Sequence, residues 1–238
     1  LKHLVHGSTF TIMNMKTISL LFSFLLLAIV TACSQAPDRI TQPVVPKVPK
    51  INSTKVFTLE DYLSENKDLT LAVDDIFKQL DDTAIVAQVL MPAVGKHGHA
   101  RETIAQHIDS RLIGGVLMLN GTKDEFTQMI KDFNKSNISK GNLPFLYSAD
   151  AEPSLVNRKI TGSAPVKKAA EITTLDELIL VTESISKDLN DIGINYNFAP
   201  VVDVAGNATV GYRGFGNNPT QLIPWSNTFI QETQKKKI

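Results

Sequence analysis

An α/β fold built on a parallel sheet is the class this sequence predicts, and three observations carry it. Short apolar stretches at 89–94, 114–120, 145–149 and 194–198 each precede a longer segment whose apolar residues recur at helical spacing. Two of those segments open on the reciprocal capping pattern Thr-x-x-Glu, at Thr122–Glu125 and Thr174–Glu177. Glycine, proline, asparagine or aspartate marks the end of each stretch. Four strand–helix units in succession imply parallel strands joined by helical crossovers. An open doubly wound sheet and part of an eight-fold barrel both satisfy that pattern.

The domain begins near Lys55, with a first helix through Leu71–Leu80 and on towards Ile85. Val89-Leu-Met-Pro-Ala-Val94 is the first strand, and Gly95-Lys-His-Gly-His99 follows as a loop. His97 and His99 lack a nearby third ligand, so they read as a solvated loop rather than a metal site. Helix Arg101–Arg111 leads to the second strand, Gly114–Asn120. Phe126, Met129, Ile130 and Phe133 then give the next helix an apolar stripe. Asn142-Leu-Pro144 breaks the chain before the third strand, Phe145–Ala149, which ends on Asp150-Ala-Glu-Pro153. Residues 154–173 read as a long loop with Gly162 and Pro165. The helix after Thr174 buries Leu175, Leu178, Ile185, Leu189 and Ile192, and Gly193 ends it. In the fourth strand Ile194, Tyr196 and Phe198 alternate with Asn195 and Asn197, and Pro200 stops ladder pairing. A polar loop through Gly206, Asn207, Gly211, Arg213 and Gly214-Phe-Gly216 leads to Asn218-Pro219, an N-cap and first helical position. The last helix carries Leu222, Ile223, Trp225, Phe229 and Ile230 and runs out in Lys235-Lys-Lys237.

Composition narrows the function. The 238 residues are 43% hydrophobic and balance 24 acidic against 24 basic side chains, which gives no general attraction to nucleic acid. One cysteine excludes an intrachain disulfide framework and a multi-cysteine metal site. No Gly-x-Gly-x-x-Gly follows a strand, and phosphate-loop and Gly-x-Ser-x-Gly motifs are absent, so no cofactor is expected.

The N-terminus has its own logic. Residues 1–12 precede the candidate starts Met13 and Met15 and are set apart as upstream sequence. Lys16, an apolar run from Ile18 to Val30 and small residues before Cys33 follow the plan of a secretory signal peptide over 13–32. The run is short for a membrane span. Thr31-Ala32-Cys33 resembles the lipobox of bacterial lipoproteins, which implies that Cys33 carries a lipid and that the chain is anchored in a bacterial cell envelope. Residues 33–54, with Pro37, Pro43, Pro46 and Pro49, read as the lipidated cysteine and an extended tether, leaving 55–238 as the domain.

Two acidic features stand at strand ends. Asp150 and Glu152 are paired carboxylates suited to acid–base work or to holding sugar hydroxyls. Asp203 lies past the fourth strand, where such sheets usually place their chemistry, although a turn needs an aspartate equally well.

Ile113-Gly-Gly-Val-Leu-Met-Leu119, Asp150-Ala-Glu-Pro-Ser-Leu-Val-Asn-Arg158, and Asn195-Tyr-Asn-Phe-Ala-Pro-Val-Val-Asp203 with Arg213-Gly-Phe-Gly216 and Pro219 together resemble glycoside hydrolase family 3, over roughly residues 70–238. The resemblance implies about the first four units of a (β/α)8, or TIM, barrel, and a retaining β-glycosidase of the β-N-acetylhexosaminidase type. It implies that Asp150, Arg158 and Arg213 contact a carbohydrate substrate, and that Asp203 orders the loop bearing Arg213. Ala151, Pro153 and Ser154 depart from the family pattern Asp-x-Glu-Gly-Gly-x-Val-x-Arg and remove both glycines.

Retaining hydrolysis needs a nucleophile and an acid about 5–5.5 Å apart. The resemblance places both beyond Ile238, so no catalytic residue is expected within this chain, and the polypeptide alone is expected to be insoluble or partly unfolded, and inactive on aryl β-glycosides. A β-glucosidase-like member is the alternative within the family. A sugar-binding lipoprotein without catalysis is the alternative of another class.

Overall fold

The computed structural model describes residues 55–204 and 210–238. The upstream residues, the signal peptide, Cys33 and the tether to residue 54 lie outside the described residues, as do Gly206 and Asn207.

Four strands form one parallel sheet: β1 (Ala93–Val94), β2 (Gly115–Met118), β4 (Leu146–Ala149) and β6 (Tyr196–Asn197), side by side in that order. A second parallel pair joins β3 (Gly121–Thr122) to β5 (Ile160–Thr161). The α/β class read from the sequence is therefore what the chain adopts. Strand order follows chain order, whereas a doubly wound sheet reverses at a switch point. The helices agree. After the leading α1 (Leu59–Leu63), α2 (Lys67–Phe77) and α3 (Asp82–Ala87) come α4 (Arg101–Asp109), α5 (Lys123–Ser139), the single-turn α6 (Val156–Lys159), α7 (Leu175–Ile192) and α8 (Pro219–Lys235). The long crossover helices pack in a row, α4 on α5, α5 on α7 and α7 on α8. Among the described residues no helix is long and apolar enough to cross a membrane.

The two faces of the sheet differ. Register aligns Val116 with Tyr147, and Val94 with Met118. These side chains and Ala149 are buried in the core with Ile104, Phe126, Leu178 and Phe229 from the helices. The opposite face carries Leu146 and Tyr196, 48% and 43% exposed. Ser148 on that face is buried and donates to Met91 Sδ at 2.9 Å.

Local chemistry sets the helix ends. Thr122 Oγ1 accepts from Glu125 N while the Glu125 carboxylate accepts from Thr122 N, the reciprocal cap expected there. At α7 the motif slips. Thr174 Oγ1 caps Glu177 N, but the Glu177 carboxylate accepts from Thr173 N and Oγ1, one residue earlier, and pairs with Lys167. Gly193, at φ +96°, closes α7 in the left-handed conformation that glycine adopts without steric penalty. Asn218 caps α8 through Thr220 N, with Pro219 at its first position.

Several expectations need correction. The predicted first helix is two, broken between Phe77 and Asp82 because Asp81 caps a new start at Ala84 N. The long loop 154–173 contains α6, β5 and a 3-10 turn at Ala169–Glu171. Leu175 and Ile223 are exposed, at 42% and 61%, while Leu178 and Leu222 beside them are buried in the core. Phe198, like Tyr196, faces out, and their rings meet edge to face at 5.2 Å. Asn195 and Asn197 bond to neighbouring backbone, and of the strand's three alternating apolar residues only Ile194 is buried.

Candidate functional site

Strand β4 delivers the chain to Asp150 at its carboxyl end, and the loop that follows is held from four sides. The Asn197 side chain reaches across from β6, accepting from Ala151 N at 3.0 Å and donating to Ala151 O at 3.3 Å. Its neighbour on the strand, Asn195, does the same one step earlier, accepting from Tyr147 N and donating to Phe145 O. These amides extend the β4–β6 ladder beyond its backbone pairs. Glu152 O accepts from Leu155 N and Val156 N and starts α6. Ser154 Oγ accepts from Ala169 N at 3.0 Å and donates to Tyr212 O at 2.9 Å, tying three segments together.

Glu152 and Arg213 form the centre. Arg213 Nε donates to Glu152 Oε1 at 2.6 Å and Nη2 donates to Oε2 at 2.9 Å, a two-pronged charge-assisted pair. The Glu152 side chain is 1% exposed and that of Arg213 is 27% exposed. The Arg213 guanidinium is held above its ordinary pKa, first by the hydrogen bonds to Glu152 and then by the charges of Glu152 and Asp150, against the opposing effect of burial. Asp150 therefore lies within the field of Arg213, and its own carboxylate is ion-paired to Lys159 Nζ.

Of the three residues matched to sugar contacts, Asp150 and Arg213 come together at this strand end, and Arg158 does not join them. Arg158 is exposed and lines a separate cleft of about 710 Å³ with Lys96, Arg101, Glu125 and Thr161. The cation that reaches Asp150 is Lys159, which the motif did not single out. The expectation that Asp203 orders the loop bearing Arg213 falls in part on residues 205–209, outside the described residues. The Asp203 carboxylate is exposed and makes no hydrogen bond with any described residue, and the loop at Arg213 is held by Glu152 and Ser154. The carbonyls of Val201 and Asp203 and the Val201 side chain lie near Gly214. His97 and His99 lie exposed in their turn, with the His99 ring edge-on to His107 at 6.5 Å. Among the described residues no group of three or more His, Cys, Asp or Glu is placed to hold a metal ion.

The geometry decides between two uses of the carboxylates. Both Glu152 oxygens are occupied by Arg213 in a buried setting, so Glu152 is not free to act as a nucleophile or to pass a proton. Asp150, partly exposed beside an ammonium group, offers an acceptor next to donors, the arrangement that orients neutral hydroxyls. Glu152, singled out in the sequence beside Asp150, proves to be the partner of Arg213. Lys159, Ser154 and Asn197 were the residues sequence reasoning missed. Only Asn197 carried a signal, as a polar residue repeating at period two along a strand.

A parallel α/β sheet with a charged polar cluster at the carboxyl ends of its strands defines the class: an enzyme-type scaffold that places its site beyond the strands. The profile of the glycosyl hydrolase family 3 N-terminal domain matches residues 77–238, and the chain belongs to that family. It is 25% identical over 153 residues to beta-hexosaminidase LpqI of Mycobacterium tuberculosis, covering 61% of this chain and 38% of that protein. It is 32% identical over 126 residues to beta-hexosaminidase A of Pseudoalteromonas piscicida, covering 45% of this chain and 20% of that protein. The chain thus spans well under half the length of these relatives. Its fold matches a family 3 glycosyl hydrolase structure from Mycobacterium smegmatis, with a TM-score of 0.56 at 22% identity over 67% of this chain and 48% of that one. It also matches a family 3 beta-N-acetylglucosaminidase from Paenibacillus, with a TM-score of 0.55 at 20% identity over 66% of this chain and 31% of that one.

Proposed function

We propose that this chain supplies about the first four units of a (β/α)8 barrel in a retaining β-glycosidase that removes terminal β-linked N-acetylhexosamine from envelope or chitin-type saccharides. The observation that carries the reading is the cluster at the end of β4, where Asp150 stands partly exposed, ion-paired to Lys159 and within the field of the Arg213 that Glu152 holds. A carboxylate fixed between cations binds a neutral polyol through its hydroxyls and leaves bond cleavage to other groups. Monotonic strand order and the uncovered face with Leu146 and Tyr196 support a barrel over a doubly wound sheet. The hexosaminidase names of the relatives favour N-acetylhexosamine over glucose. On the same reading Cys33 bears the lipid that anchors the protein in a bacterial envelope.

The test is the complete reading frame that contains this chain, purified and assayed on chromogenic N-acetyl-β-glucosaminide and β-glucoside. Turnover of the first by at least about tenfold over the second is expected, because a site built to hydrogen-bond a substrate group strongly rejects analogues that lack it. The reverse preference supports a β-glucosidase. Saccharide binding with no turnover of either supports a binding lipoprotein.

A further inference from the structure

The loop after β4 carries two adjacent cations, Arg158 and Lys159, and they occupy successive positions of α6. Successive helical residues point about 100° apart, so the two side chains serve different surroundings. Lys159 turns inward: its side chain is 16% exposed and its ammonium meets Asp150 Oδ2. Arg158 turns outward to the cleft with Lys96 and Arg101 and makes no ion pair with a described residue. The cause lies in the preceding loop. Glu152 O draws in Leu155 N and Val156 N, and Ser154 is pinned to Tyr212 and Ala169, so α6 winds from a fixed start. From there the ninth residue after Asp150 faces it and the eighth does not.

We infer that Lys159 is the cation that works with Asp150 on the saccharide, in the position where the sequence match puts Arg158. This inference rests on the sugar-binding reading above. The ammonium has three N–H donors. One is committed to Asp150 Oδ2, and the others are available to a sugar hydroxyl. Asp150 Oδ1 stays open as an acceptor for the neighbouring hydroxyl. Together they present a donor and an acceptor to a vicinal diol of a neutral pyranose. Lysine does this as a compact point charge, without the planar fork that an arginine would bring.

Saturation-transfer difference NMR on the protein of the complete reading frame that contains this chain, titrated with N-acetylglucosamine, tests the assignment. Melting followed by circular dichroism reports the fold of each variant. Lys159→Met is expected to weaken binding by about tenfold or more, the loss of one charge-assisted hydrogen bond. Lys159→Arg should recover most of that loss, which a merely structural role for the aliphatic stem would not require. Arg158→Met should bind within about twofold of wild type, since it removes no contact at Asp150. Loss of binding in Arg158→Met, or unchanged binding in a folded Lys159→Met, overturns the assignment and leaves the sugar-binding reading standing. Absence of saturable binding in the wild-type protein overturns both.

Discussion

Arg213 closes both oxygens of Glu152 across a sequence separation of 61 residues, and it does so where Glu152 is buried and Arg213 is not. The pair joins the loop after β4 to the loop before α8. Its two members are not equivalent. Arg213→Met leaves a buried carboxylate without a partner, a change that destabilises by about 3–5 kcal/mol. In Glu152→Gln/Arg213→Met no charge is stranded, so the double variant should be more stable than Arg213→Met alone. Chemical denaturation of the two variants and wild type checks the order. A double variant no better than the single one would mean that the pair is not the junction of these loops.

Asn197 supports the same loop from the other side. Its amide satisfies both the N–H and the C=O of buried Ala151. Asn197→Ala orphans both groups, at a cost of about 2–4 kcal/mol from two unsatisfied buried partners. Asn197→Asp keeps the acceptor and loses the donor, so it should fall between wild type and alanine at neutral pH. Hydrogen exchange at Ala151 reads the effect locally, and protection there should drop in Asn197→Ala more than at Val116 in the core.

The fold was legible because period and punctuation act locally. Apolar stripes such as Phe126, Ile130 and Phe133 are buried as their spacing requires, and Gly193 ends α7 because a left-handed residue was needed there. The candidate site was half legible. Asp150 stood at a strand end and could be picked out by position alone. Glu152 was picked out beside it, but its role was not legible, since whether a carboxylate two residues on is solvated or buried depends on an arginine 61 residues away. Arg158 and Lys159 are neighbours in sequence and part ways only through the winding of α6. The same holds for Tyr196 and Phe198, whose exposure reflects which face of the sheet the helices cover.

Tyr147 is one of several buried residues, with Ser186, Ser226 and Thr233, whose hydroxyl lacks a hydrogen-bond partner among the described residues. Its ring packs against Phe145 with centroids 6.0 Å apart, and its hydroxyl is buried with no hydrogen-bond partner among the described residues. Burial also pushes the phenol pKa well above its ordinary value, so the group stays neutral at any ordinary pH. Tyr147→Phe keeps the ring and deletes the orphan oxygen. Because an unsatisfied buried hydroxyl costs about 1–3 kcal/mol, the variant should be more stable than wild type by about 1 kcal/mol, allowing for the small void left behind. A lower melting temperature in Tyr147→Phe would show that the hydroxyl has a partner.

Acid sensitivity should trace in part to Glu177 at the start of α7. Lys167 at 2.5 Å lowers its pKa most, and Thr173 N and Oγ1 lower it further, to about 2 from 4.5. A carboxyl group whose folded pKa is depressed contributes stability above its unfolded value, and loses that contribution as pH falls through the folded one. For Glu177 the window runs from about 4.5 down to about 2. The group is on the surface, so salt screens the Lys167 part while the capping hydrogen bonds persist. Glu177→Gln removes the charge at every pH. The difference in melting temperature between wild type and Glu177→Gln should therefore be constant from neutral pH to about 5 and shrink steadily below that. It should nearly vanish near pH 2, and the plateau should be smaller in 1 M salt than at low salt. A difference that grows as the pH falls would contradict the sign of the shift, and one that ignores salt would assign the whole effect to Thr173.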